Sequence, residues 1–146
     1  MVWVGGVRRS SGVQASVEFP DDLEKRAFRS GNGELGWTRR DVPAVISILE
    51  DRQRAILGGE LWWVPEGETR WTGIIPQRVG HPGVYHWDTE REPGEAWLAY
   101  VRRCALHSLQ AVDALPGSDD LPADLSGRIL YNLTWVSEAE FLNLTR

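Results

Sequence analysis

The sequence predicts an α+β domain: a small antiparallel sheet of about four strands, covered by helices on one face. Three observations predict it. Apolar residues recur at helical spacing before and after a central block, over 42–49 and 97–112. Within that block, strand-like runs over 55–64 and 69–75 flank the turn-forming Pro65-Glu66-Gly67-Glu68. A last alternating run spans 127–136. Strands clustered between helices argue for an antiparallel sheet with its helices on one side. The chain of 146 residues fits one domain with one core. Residues 1–15, rich in glycine and serine, read as a flexible N-terminal extension, and residues 16–146 as the single domain.

Pro20 starts a short helix over 21–28, with Asp21 and Asp22 in its first turn, where the helix dipole favours anions. Arg29-Ser30-Gly31-Asn32-Gly33 is a loop. Thr38-Arg39-Arg40-Asp41 has the form of a capping box, although Pro43 also allows the regular turns to begin at Asp41. Val42, Val45, Ile46 and Leu49 then form an apolar helix face that ends near 52–54. In the strand over 55–64, alternation puts Ile56, Gly58, Glu60, Trp62 and Val64 on one face and Leu57, Gly59, Leu61 and Trp63 on the other. Gly58 and Gly59 are expected to let this strand pack closely against the preceding helix. Residues 69–75 return as its hairpin partner, 76–83 form a loop, and 84–87 form a third short strand. Pro93-Gly94-Glu95 opens the longest helix, whose core stripe is Trp97, Tyr100, Val101, Cys104, Ala105, Ser108, Leu109 and Val112. An acidic loop over 116–126 follows. In the strand over 127–136, Ile129, Tyr131, Leu133 and Trp135 share one face, and Leu130, Asn132 and Thr134 the other. Ser137 and Glu140 form a capping box for a short final helix.

Composition excludes several functions. A net charge of −5 disfavours phosphate backbones, so no nucleic-acid partner is expected. No run approaches the roughly 20 apolar residues of a membrane span. Val2-Trp3-Val4-Gly5-Gly6-Val7 is too short for a secretory core, and Arg8-Arg9 follow it, so the expected location is cytoplasmic. Cys104 is the single cysteine, which suits a reducing compartment and reads as a buried thiol. The use of arginine almost to the exclusion of lysine suggests a GC-rich bacterial genome. The acidic excess lies toward the C-terminus, in Asp113, Asp119, Asp120, Asp124, Glu138 and Glu140, and would draw a basic partner.

The residues that could carry chemistry are few. His81 and His86, with Asp88 and Glu90, are zinc-ligand types at a spacing that matches no common metal motif, so no metal and no cofactor is expected. Glu60 is an isolated carboxylate between apolar residues, and Asp88 or Glu90 could serve as its second carboxylate in a small hydrolase. Gly31-Asn32-Gly33 lacks the later glycine and lysine of a phosphate loop. The aromatics are more informative. Eight tryptophans stand in this chain, and Trp62, Trp63, Trp71 and Trp87 crowd the predicted hairpin and third strand. Exposed, they would form a contact face of the kind rich in binding hot spots; buried, they are packing. An apolar cleft lined by Trp62, Trp71 and Trp87 would instead suit a small molecule or glycan.

The order of motifs carries a resemblance. Leu35-Gly36-Trp37-Thr38-Arg39-Arg40-Asp41 leads into a helix and then Ala55-Ile56-Leu57-Gly58-Gly59-Glu60. Val84-Tyr85-His86-Trp87 and Glu95-Ala96-Trp97-Leu98-Ala99-Tyr100-Val101 follow. Over roughly 19–112 the chain resembles the immunity protein 40 family of bacterial polymorphic toxin systems. Glu60 stands where that pattern more often has aspartate, and Tyr85-His86 where it has aspartate-asparagine. The resemblance implies a non-enzymatic protein that binds and neutralises a cognate toxin. Many toxin domains are basic nucleases, toward which this acidic chain would be steered. The expected partner-binding residues are Glu60, Trp62, Trp71, Tyr85, Trp87 and Asp88, with Glu60 and Trp62 facing outward.

Overall fold

The computed structural model describes residues 2–4, 7–9, 14, 16–75, 83–121 and 125–145. Strands β1 (Val2–Val4) and β2 (Val7–Arg9) pair antiparallel with each other. Helix α1 (Asp21–Arg26) is followed by β3 (Phe28–Arg29), β4 (Leu35–Trp37), helix α2 (Val42–Asp51) and β5 (Ala55–Val64). Then come β6 (Ile74–Ile75), β7 (Gly83–Val84), β8 (His86–Asp88), helix α3 (Trp97–Ala114), β9 (Arg128–Val136) and helix α4 (Glu138–Leu144). The main sheet is antiparallel with the order β3-β4-β9-β5-β8. Among the described residues, no helix is long and apolar enough to cross a membrane.

The α+β architecture is the one the sequence predicts. The sheet has five strands, because the segment before α2 folds as a β3–β4 hairpin. Its turn is tied by Ser30 N–H donating to the Glu34 carbonyl at 2.8 Å and Glu34 N–H donating to Ser30 Oγ at 3.1 Å. Gly33 supplies the left-handed φ of 87° that the turn requires. Helix α2 begins after Asp41, and Thr38 forms no capping box. The Asp41 carboxylate is held instead by Arg26, with Nε at 3.1 and 3.0 Å from its two oxygens. The capping box at α4 forms as expected: Ser137 N–H donates to Glu140 Oε1 at 2.8 Å, and Glu140 N–H donates to Ser137 Oγ at 3.2 Å.

The strands β5 and β9 form the centre of the sheet. Their odd-numbered inner face, with Leu61, Ile129, Tyr131, Leu133 and Trp135, packs against α2 and α3 in one apolar core. A bulge between Ile56 and Gly58 interrupts the alternation in β5. It turns Ile56 onto the helix-covered face, where it pairs with Trp135, so Ile56 does not share a face with Glu60. Leu109 also departs from expectation: it is 38% exposed on the outer side of α3.

The double glycine serves a different neighbour from the one predicted. A Cβ on Gly58 would collide with the Trp87 carbonyl oxygen and lie 3.1 Å from Asp88 Cα. A Cβ on Gly59 would lie 2.5 Å from the Asn132 carbonyl oxygen and 2.6 Å from Trp87 Cζ2. The close approach is therefore made by strand β8 and the Trp87 ring, not by helix α2.

The predicted hairpin of β5 with 69–75 is realised as a single antiparallel bridge, Trp63 to Thr72, with both backbone hydrogen bonds at 2.9 Å. Ile74–Ile75 then leaves to pair with Gly83–Val84. Gln14 replaces a missing strand partner at the other end of the sheet. Its side-chain amide donates to the Leu35 and Leu133 carbonyls at 3.0 and 2.8 Å and accepts from Leu35 N–H at 2.7 Å.

Candidate functional site

The even-numbered face of β5 and β9 carries a second, smaller apolar cluster of Trp62, Val64 and Leu130. Its cover comes from Phe28 on β3 and Trp71 in the segment after β5. Gly36 on β4 makes the room, since its Cα faces the Trp62 ring and a Cβ there would sit 3.0 Å from Trp62 Cε3. Trp71 stacks on Trp62 with centroids 4.4 Å apart and planes 12° from parallel, and Phe28 meets Trp62 edge-on at 6.1 Å. Arg128 lies over Phe28 at 5.7 Å. Trp62 is fully buried, whereas Phe28 and Trp71 are half-buried. The result is an aromatic ledge with a rigid buried base.

A cleft of about 420 Å³ adjoins this ledge and is lined by Ser30, Gly31, Thr69, Arg70 and Trp71. The tight Ser30–Glu34 turn forms one wall and the segment leading to the Trp63–Thr72 bridge forms the other. Such a site joins a large aromatic anchor to backbone and hydroxyl groups and a guanidinium at its rim. Of these groups, tryptophan and arginine are the side chains enriched among interface anchors. Of the residues of the ledge and cleft, sequence reasoning named Trp62 and Trp71. Phe28, Ser30, Arg70 and Arg128 were missed because the β3–β4 hairpin was unrecognised. The one available signal was Phe28 paired with the Gly31-Asn32-Gly33 turn.

The expected outward orientation of Glu60 and Trp62 is corrected. Glu60 is 2% exposed, and its Oε1 accepts a hydrogen bond from Trp62 Nε1 at 3.0 Å. Tyr85 and Trp87 are buried as well, in the core on the opposite side of the sheet. Trp87 Nε1 donates to Ser108 Oγ of α3 at 3.1 Å, which fixes its ring on the helix side. Trp62 and Trp87 therefore cannot line one cleft with Trp71, and the three-tryptophan glycan cleft is ruled out. Trp71 and Asp88 are half-buried and keep surface for a partner.

Of the candidate carboxylates, the sheet brings Asp88 and Glu60 to one face. Asp88 lies opposite Gly58, on the same face as Glu60 and one diagonal position away, while Glu90 lies beyond the end of β8. Glu60 does not line the cleft beside Trp71. Among the described residues, no group of three or more His, Cys, Asp or Glu side chains could hold a metal. His86 is exposed on β8, and His81 lies outside the described residues.

The polar groups between β8 and α3 bond to one another. Tyr100 Oη donates to the Thr89 carbonyl, and Thr89 Oγ1 meets His107 Nδ1, both at 2.6 Å. Cys104 is wholly buried there, and burial pushes its thiol up to about 12, far from a reactive thiolate. Glu95 receives both Arg103 Nε and Nη2 at 2.8 Å, and that guanidinium holds its carboxyl down at about 2. No family model matches the chain, and no solved structure matches it.

Proposed function

We propose that this chain is a non-enzymatic immunity protein that binds and neutralises a cognate bacterial toxin in the cytoplasm. The observation that carries the proposal is the Trp62–Trp71 stack. A half-exposed tryptophan backed by a buried one presents a large ring whose conformation is already fixed, so little entropy is lost when a partner covers it. Phe28, Arg70 and Arg128 extend the anchor into a mixed aromatic and cationic patch. The motif resemblance over roughly 19–112 supplies the class of partner.

In this reading, Glu60 and Trp62 act from beneath the contact surface. The Glu60 carboxylate orients the Trp62 indole, and Trp62 supports Trp71. Exposed carboxylates at Asp119, Asp120 and Glu138 steer a basic toxin during approach. A sugar ring stacked on Trp71 alone is the second reading, favoured by the cleft volume of about 420 Å³.

The test is coexpression with the product of the adjacent upstream gene. Rescue from toxicity together with a complex stable to gel filtration supports the proposal. A toxic neighbour that is neither bound nor neutralised refutes it.

A further inference from the structure

The outer side of α3 carries more apolar surface than a merely solvated helix face needs. Leu106 is 57% exposed, Leu98 52% and Leu109 38%. The same helix buries Trp97, Tyr100, Val101, Cys104, Ala105, Ser108 and Val112 on its inner side. At 3.6 residues per turn, Ala99, Arg102, Leu106, Leu109 and Asp113 then run along the outside as one stripe. All five are exposed. Their spacing alternates three and four residues, which is the spacing of a helix–helix seam.

The stripe is self-complementary when reversed. Arg102 stands four residues before Leu106, and Asp113 four residues after Leu109. A second helix running antiparallel, about a two-fold axis between Leu106 and Leu109, sets Leu106 against the second copy's Leu109. The same operation sets Arg102 against the second copy's Asp113, and two-fold symmetry repeats each contact. Parallel pairing would place Arg102 beside Arg102 and Asp113 beside Asp113, with like charges opposed. Neither Arg102 nor Asp113 makes an ion pair among the described residues.

We propose that α3 pairs antiparallel with α3 of a second copy of this chain to form a symmetric dimer. The contact spans about three helical turns, which is at the small end of specific interfaces, below about 1,200 Å² in total. The dimer is therefore weak and reversible, and it leaves the Trp71 ledge on the other face of the sheet free.

Sedimentation equilibrium of the full chain from micromolar to millimolar concentration tests this, alongside Arg102→Asp, Asp113→Arg and the double exchange. A reversible monomer–dimer equilibrium is expected. Each single reversal should weaken it by at least about tenfold, and the double exchange should restore it to within about threefold of the original. All four positions tested or flanked are exposed, so thermal unfolding should report unchanged folds. A chain that is monomeric throughout, a dimer indifferent to both single reversals, or a double exchange without rescue overturns the proposal. A monomer that loses toxin affinity on Leu106→Asp would assign the stripe to a different partner and overturns it equally.

Discussion

The indole of Trp71 lies flat on that of Trp62, 4.4 Å between centroids, with one ring half-buried and the other fully enclosed. Under the proposed function the two rings divide recognition from stability. Trp62→Ala empties the small second core and should cost about 3–5 kcal/mol of unfolding free energy. Trp71→Ala removes one face of the stack and should cost only about 1 kcal/mol. Urea unfolding of both variants checks the difference. The same Trp71→Ala variant should lose at least about tenfold in partner affinity, as anchors at interface centres do. Unchanged affinity in a folded Trp71→Ala protein places the contact elsewhere.

Gly59→Ala should destabilise the fold by about 1–3 kcal/mol, because a Cβ there intrudes on both the Trp87 ring and the Asn132 carbonyl. Gly58→Ala meets only backbone of β8, and more closely than Gly59 meets the Asn132 carbonyl, with no side chain to rotate away, so it should cost more. Chemical denaturation ranks the two. Equal tolerance of both substitutions would mean that β8 does not approach β5 as closely as described.

The Arg103–Glu95 pair predicts an acid-sensitive term. Glu95 titrates at about 2 in the folded chain against 4.5 for an ordinary glutamate, so its folded form binds a proton less readily than the unfolded chain does. Its stabilisation is complete above about pH 4.5 and is lost as the pH falls from there through about 2. Glu95→Gln should flatten stability against pH in that window and leave the slope above pH 5 unchanged. Identical acid slopes in the two proteins would remove the pair from any role in acid unfolding.

Cys104 is wholly enclosed between α3 and the sheet, with burial raising its thiol to about 12. A thiol-reactive probe should label the native protein on the order of a thousandfold more slowly than the denatured chain, at a rate set by opening of the core. Rapid labelling under native conditions would contradict the packing of α3.

Much of the fold was legible because it follows from periodicity. The β5 bounds at Ala55 and Val64, the two faces of β9 and the Ser137–Glu140 cap all rest on local rules. The misses rest on contacts that no window of sequence contains. The bulge that turns Ile56 inward is set by pairing with β9 and β8, and Phe28 joins the candidate site only because β3 pairs with β4. Glu60 shows the same limit. A carboxylate alternating with apolar residues reads as outward-facing, yet its acceptor oxygen is satisfied by the Trp62 indole two residues on, beneath Trp71. Trp87 reads as a surface aromatic until Ser108, on a helix 21 positions later, takes its indole N–H.

The most direct measurement of the central proposal takes the purified product of the adjacent upstream gene, proposed to be the toxin, and titrates its activity with the purified protein. Neutralisation predicts that toxin activity falls to zero at a fixed stoichiometric ratio, and that Trp71→Ala shifts the titration to higher concentration. Toxin activity that is unchanged at a large excess of folded protein would contradict the account.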